Sequence, residues 1–340
     1  MSSSVSSFEV CSFIPTKEGH VAKISACYDS NSQVTGEGVE FEGSNDVKVA
    51  KGKVRDSYNF GANLSLLTTD RQSGFDRSLC SVPYKGAVLN LISKFWFEKS
   101  SGIVENHVVQ VPHPNVTIAK RCDPFPIEMV VRRYMTGSTN TSIWKHYESG
   151  VRNYCGHELP DGMVKNQQLS ESLFTPTTKG EVDRPISEDD IVKEGIMTRE
   201  DLEVCKRKSL EVFEMGRKWA DGRGLVLVDT KFEMGKDEDG VIRLIDEVLT
   251  PDSSRYWIKA SYDERMAAGK EPENIDKEFL RLWFRNNCDP YKDEVLPVPP
   301  KDLVCELSRR YVGLYEIITG EEFKFEEGEE LGKAIERARA

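Results

Sequence analysis

The sequence predicts a mixed α+β protein, β-rich in its first third, with a hairpin surrounded by helices in the rest. Three observations carry that prediction. Residues 46–70 read as strand, turn, strand. Helical spacing recurs at 85–99, 275–287 and 302–318. The stretch LVLVDTKFEMGKDEDGVIRLIDEV (225–248) reads as two apolar strands joined at Asp239-Gly240. With 340 residues the chain can form one large domain or two ordinary ones, and a hydrophobic content of 38% is enough for a core. Nothing in it approaches the continuous apolar length of a membrane span. The net charge of −11 argues against a nucleic-acid or anionic-membrane surface as the main partner. Anionic small molecules stay open, because a local cluster of Arg and Lys can sit in an acidic protein.

The elements follow in order. Residues 1–45 are polar, Ser- and Gly-rich and weakly patterned, and read as a partly ordered lead-in. VKVAKGKVRDSY, then Asn59-Phe60-Gly61-Ala62-Asn63, then LSLLTTD, give the strand pair. Residues 85–99 place Val88, Leu91, Ile92 and Phe95 at helical spacing. Strands are expected at Val108–Val111, Val116–Lys120 and Ile127–Met135. Between the last two, Asp123-Pro124-Phe125-Pro126 breaks regular structure, because proline lacks the donor and restricts its predecessor. Residues 138–148 look helical and 150–186 are loop-rich. Thr198, followed by Asp201, opens a helix as a capping box would, running to about Trp219 and stopping at Gly222 and Gly224. The acidic tail from Glu321 is expected to be solvated and partly helical. No internal repeat is visible. None of the eight cysteines forms a CxxC pair or sits at zinc-finger spacing with histidine, so they read as thiols of a reducing compartment. Residues 1–7 are Ser-rich without an apolar run and Glu9 follows, so the expected location is cytoplasmic, an organellar presequence being disfavoured.

Five stretches could carry chemistry. In a strand, residues two apart share a face, so Asp229, Lys231 and Glu233 project together, away from Thr230, Phe232 and Met234. A turn near 237–240 brings Asp246 within a position or two of Lys231 and Glu233. Such carboxylates suit Mg²⁺, and the lysine an anionic ligand, but on spacing alone a surface hairpin with ordinary ion pairs stands equally. AKGKVRDSYNF (50–60) places a glycine among basic residues on a strand folding back at Gly61, with Lys53 and Arg55 on one face. That is a lid for a triphosphate or, preferred on the motif alone, merely a basic edge strand. IEMVVRRYMTGS (127–138) ends a buried strand in Arg132-Arg133 and puts Ser138 before a helix, as a phosphate site or as a cap. TPDSSRYW (250–257) sets Arg255 in a turn-rich loop beyond the acidic strand end, as a second cation for an anion or a partner of Asp246 or Glu247. In TDRQSGFDR (69–77), Asp70 and Asp76 are ligands or turn formers.

Longer strings say more. GKVRDSY, TTDRQSGFD, PYKGAVLN, PHPNVTIAKRCDPFPIEMVVRRYMTGS, LPDGMVKNQ, LVDTKFEMGK, LIDEVLTPDSSRYW and ENIDKEFLRLW occur in this order. Between about Val47 and Thr319 the chain resembles the phosphoribosylaminoimidazole-succinocarboxamide synthase (SAICAR synthetase) family. The resemblance implies a two-lobed fold: a β-rich lobe (46–125) and a larger α+β lobe (126–320), with an ATP cleft between them as in kinases and ATP-grasp ligases. Residues 1–45 and 321–340 lie outside it. It implies an ATP-dependent ligase joining carboxyaminoimidazole ribonucleotide (CAIR) to L-aspartate, with Mg²⁺ as cofactor. Another ATP-dependent small-molecule ligase or kinase on the same fold is the alternative. From a different class, a non-catalytic nucleotide-binding module is opposed by the full set of Asp229, Lys231, Glu233, Asp246 and Arg255. The chain is too short for a fused carboxylase, and a monomer or small homo-oligomer fits it.

Residue roles follow from the same resemblance. The hairpin with Gly52, Lys53 and Arg55 would cover the triphosphate. Lys120, Asp123 and Phe125 would contact the nucleotide around the DPFP linker, with Glu128 near the ribose. Glu233 and Asp246 match the metal ligands. Arg132, Ser138 and Arg255 match positions that hold the CAIR phosphate and ribose, while Asp229 and Lys231, the catalytic pair, face its carboxylate end. Ser73, Asp76 and Lys179 fall toward the aspartate, with Lys85 among the substrate-binding positions. Met234 stands where an aromatic residue is expected, on the face turned away from the site.

Overall fold

A computed structural model describes residues 13–43, 47–75, 77–180, 183–275, 278–325 and 328–340. The chain divides into two compact units, one of Met1–Leu91, Gln110–Ala119 and Ile275–Ala340, the other of Ile92–Val109 and Lys120–Asn274.

In the first unit, a five-stranded sheet is built from Lys48–Lys51, Arg55–Asn59, Asn63–Thr68, Val116–Lys120 and Val108–His113, in that spatial order. The chain folds back twice where one reversal at Gly61 was expected. Lys48 pairs with Asn59 and Lys51 with Asp56, so Gly52 lies in a tight turn rather than along a strand. Its N–H donates to the Arg55 carbonyl at 2.8 Å, and a Cβ there would stand 2.6 Å from that same oxygen, which only glycine avoids. TDRQSGFDR forms a further small hairpin, Arg71–Gly74 with Arg77–Ser81. Arg71 pairs with the fully buried Asp56 at 2.6 Å.

Both chain ends depart from expectation. The lead-in contains a helix, Glu18–Asp29, that buries Ile24 and Cys27 and packs on the helix Lys301–Thr319. Arg309 of that helix donates to the Ile14 carbonyl at 2.8 Å, and Gly313 has no side chain because Ile14 occupies its place. The tail is partly helical as expected, at Leu331–Glu336, and keeps exposed residues such as Glu321, Glu322 and Lys333, but one of its faces is buried: Ala334, Ile335 and Ala338 pack against Tyr58, Leu67, Val116 and Ile118 of the sheet. Three apolar residues among glutamates escape a composition reading, but at helical spacing they make one face. So the first unit gathers 1–45, 275–320 and the tail, where the sequence had suggested a lobe of 46–125 alone.

The second unit is organised on one long strand, Leu225–Lys236, which pairs antiparallel with Ile127–Tyr134 and Ser254–Ile258 and forms the expected hairpin with Ile242–Ile245. Gly240 takes φ +78 at its turn. Asp123–Pro124 adds a two-residue pairing against Gly235 and Lys236; Pro124 has no N–H to give, which keeps the pairing short, and the next donor, the Phe125 N–H, reaches the Met234 carbonyl at 2.9 Å. The helix Arg199–Asp221 begins as predicted, Thr198 accepting from the Asp201 N–H at 3.1 Å. The helix expected from 138 begins only at Ile143. Among the described residues Cys27, Cys80, Cys122, Cys155, Cys205, Cys288 and Cys305 are free thiols, and no helix is long and apolar enough to cross a membrane.

Candidate active site

The second unit's central strand assembles the site. Period-two alternation holds: Thr230, Phe232 and Met234 are buried, while Lys231 and Glu233 turn to the half-exposed face. The neighbouring strand, Ile127–Tyr134, stands with Val130 opposite Lys231 and Arg132 opposite Asp229. Glu128, two positions from Val130, therefore shares the face of Lys231. On the other side Glu233 faces Ile245, so Asp246 comes one step beyond, at φ +68 where the chain leaves the strand.

Charges close into two groups on this face. In the first, Lys231 Nζ lies 2.9 Å from Glu233 and 3.3 Å from Glu128, and Lys179 takes the second oxygen of Glu233. Burial alone would depress the Lys231 ammonium, but Glu233, Glu128 and Asp246 outweigh it and hold it well above the ordinary lysine value. Burial pushes the Glu128 carboxyl up, Lys231 opposing and Glu233 adding to the rise. In the second group, the buried Asp229 accepts from both Arg132, at 3.2 Å, and Arg255. Arg132 is fixed further by Thr175 Oγ1 at 3.1 Å and the Thr141 carbonyl at 3.0 Å. Arg255 belongs to a strand paired with the central one, Asp229 opposite it, and not to a loop. Gly137, at φ +109, brings backbone against the Arg255 guanidinium: a Cβ there would stand 3.6 Å from Nη2. Ser138 follows, exposed, four positions before the Ser142 cap, so it does not itself cap the helix.

Residues 48–298 match the SAICAR synthetase family. This chain belongs to that family. It is 58% identical over 280 residues to the phosphoribosylaminoimidazole-succinocarboxamide synthase of Legionella pneumophila (strain Lens), covering 82% of this chain and 90% of that one. It is 59% identical over 259 residues to the chloroplastic enzyme of Vigna aconitifolia, 76% of each chain being covered. The Saccharomyces cerevisiae SAICAR synthase structure superposes with a TM-score of 0.72 at 30% identity, over 84% of this chain and 98% of that one. The protein is an enzyme, an ATP-dependent ligase of purine biosynthesis with phosphoribosylaminoimidazole-succinocarboxamide synthase activity.

The remaining expected positions divide by unit. In the second, Lys120 and Asp123 are exposed, Asp123 within the two-residue pairing, and Phe125 is half-buried. In the first, Gly52 and Lys53 form the hairpin turn, and Arg55 Nε donates to Thr68 Oγ1 at 3.2 Å. Ser73 is half-buried on the small hairpin, and Asp76 lies outside the described residues. Lys85 is fully buried at the start of its helix. Asp70 is buried, and its carboxylate accepts from the Val34 and Gly86 N–H groups at 2.9 and 2.7 Å. Sequence reasoning missed the pairings of Lys179 with Glu233 and Glu128 with Lys231. The second had a signal, since Glu128 and Arg132 lie four apart on a strand and so share a face.

Proposed function

We propose that the two charge groups on the second unit's sheet divide the reaction between them. Arg132 and Arg255, aligned by Asp229, with Ser138 and the Gly137 backbone beside Arg255, receive the phosphate and ribose of CAIR. Planar guanidinium forks suit phosphate oxygens, and holding them on the two strands that flank the central one removes most of the entropy cost of orienting them. Lys231 meets the CAIR carboxylate. Glu233 and Asp246 fit Mg²⁺, because they are oxygen donors, one on the central strand and one just past the end of its hairpin partner, with no sulfur or imidazole between them. A bound Mg²⁺ would supply charge neutralisation for the phosphates of ATP. Glu128 and Lys179 complete the first group, Lys179 as the cation released when Glu233 takes another partner. The hairpin turn Gly52-Lys53 and Arg55 are read as triphosphate contacts, Lys120, Asp123 and Phe125 as nucleotide contacts, and Ser73, Asp76 and Lys85 as substrate contacts, by resemblance.

The chemistry follows from a difficulty. A carboxylate is a poor acyl electrophile because its leaving group would be oxide. An oxygen of the CAIR carboxylate attacks the γ-phosphorus of ATP, the bond to the β-phosphate oxygen breaks, and ADP leaves. The acyl phosphate then accepts the aspartate amine at its carbon, and phosphate departs as the amide forms. Lys231 holds the attacking carboxylate in line and balances charge gathering on the transferring group; the enzyme's share is positioning and electrostatics rather than covalent chemistry.

One observation carries the reading: a single lysine contacts two carboxylates of the first group, next to a carboxylate that aligns two arginines. The Saccharomyces cerevisiae relative was solved with SAICAR, the product this site would make. The test is a coupled ADP-release assay with CAIR, L-aspartate and MgATP, each omitted in turn. ADP release that needs all three supports it; steady release without aspartate overturns it.

A further inference from the structure

The string LPDGMVKNQ (159–167) has no part in the chemistry above, yet its Asn166 is built into the site's foundation. Asn166 is 3% exposed and sits at φ +65, a left-handed backbone that a non-glycine residue keeps only when its surroundings hold it there. Its N–H donates to the Met135 carbonyl at 2.6 Å, and its carbonyl accepts from the Tyr262 hydroxyl at 2.7 Å. Its Oδ1 accepts from the Thr136 hydroxyl at 2.6 Å, and its Nδ2 donates to Glu271 at 2.9 Å. Glu271 is held in turn by Lys165 at 2.6 Å.

Thr136 is the residue before Gly137. The turn at Gly137 fits against two neighbours, Ser142, whose Cβ would stand 2.4 Å from an added Cβ, and Arg255. A small rotation of Thr136 therefore moves both the Gly137 backbone and Ser138 relative to the Arg255 guanidinium. Side-chain hydroxyls on a strand end normally have solvent as an alternative partner; the buried Thr136 has Asn166. We propose that Asn166, oriented by Glu271, is a positioning residue for the Gly137–Ser138 turn and so for the phosphate end of CAIR. The inference rests on the assignment of Arg255 and Ser138 to that phosphate.

Two variants test it. Asn166→Gly keeps the left-handed backbone accessible and removes both side-chain bonds; Thr136→Val removes the hydroxyl at nearly constant shape. Both should raise KM for CAIR about five- to tenfold, from loss of the Thr136–Asn166 hydrogen bond that the two variants share, with kcat and the KM values for ATP and aspartate within about twofold of wild type. The dephosphorylated nucleoside of CAIR should distinguish wild type from the variants less than CAIR does, since it keeps the ribose but lacks the phosphate. A merely structural Asn166 would instead lower the melting temperature and shift every constant together. If Asn166→Gly does not fold, Thr136→Val decides. A wild-type KM for CAIR in the folded variants, or an equal rise for all three substrates, overturns the inference while leaving the site's reading intact. A wild type that turns over without CAIR overturns that reading first.

Discussion

Replacing Lys231 by methionine keeps the length of the side chain and removes its charge from among Glu233, Glu128 and Asp246. At 2.9 and 3.3 Å, and with an effective dielectric of about 20, each of the two close attractions is worth about 5–6 kcal/mol before desolvation is counted. Most of that is offset by the cost of burying the ions. The lysine remains 30% exposed and Glu128 and Glu233 less so, which places the net loss near the lower end of the range for breaking a buried pair, about 3 kcal/mol. Urea unfolding of Lys231→Met should show that loss at neutral pH. The penalty should shrink toward acid. Glu128 has a raised folded-state value, so its proton stabilises the folded state most below the ordinary glutamate value, and that contribution fades as pH rises through the raised one. Without Lys231 the effect grows. Millimolar Mg²⁺ should also restore more stability to the variant than it adds to wild type, because the carboxylates then lack a competing cation. Turnover should fall by about 10³, the scale of losing a preorganised electrostatic contact. A variant within about 0.5 kcal/mol of wild type and retaining more than about a tenth of its turnover would refute the placement of Lys231 at the centre of the site.

Three further outcomes follow. Asp229→Asn leaves Arg132 and Arg255 without their shared carboxylate, so stability should drop by about 3 kcal/mol and recover in part with added inorganic phosphate, read as a rise in melting temperature. Burial lifts Asp70 from 3.8 to about 6, so its contribution is complete below 3.8 and lost as pH rises through 6, about 3 kcal/mol in all; Asp70→Asn should flatten the stability profile between those values. Gly313→Ala drives a Cβ to within 2.1 Å of Ile14 and should cost about 1–3 kcal/mol, with limited proteolysis cutting faster near residues 13–30.

How far the fold can be read from the sequence depends on whether a signal is local. The helix Arg199–Asp221 and the hairpin turn at Gly240 announce themselves through caps, periodicity and turn chemistry within a few residues. The helix Glu18–Asp29 does not: its apolar side is short, and it is stabilised by Lys301–Thr319, nearly 300 positions away. The tail fails for the same reason. Glutamates dominate its composition, while Ala334, Ile335 and Ala338 acquire meaning only against Tyr58 and Leu67. Secondary structure written by neighbours is legible; burial supplied by a distant element is not.

The site divides along the same line. Alternation alone placed Asp229, Lys231 and Glu233 on one face, and the turn length brought Asp246 to them. What alternation could not decide was whether that face met water or protein, and hence whether the hairpin was a surface feature. The answer lies in strand pairing: Ile127–Tyr134 and Ser254–Ile258 flank the acidic strand, supplying Glu128 and Arg132 from one side and Arg255 from the other. A strand in the middle of a sheet can carry charge on one face only if its neighbours carry the complement at matching register, because a single-residue slip would turn every partner away. Lys231 between Glu128 and Glu233, and Asp229 between Arg132 and Arg255, meet that condition. Part of that compensation comes from side chains, Lys179 on Glu233 and Asp229 on Arg255, which on the proposed reading a cation or a phosphate replaces without unmaking the sheet. Charge set on a rigid sheet with replaceable partners is what a ligase needs if it is to bind ionic substrates.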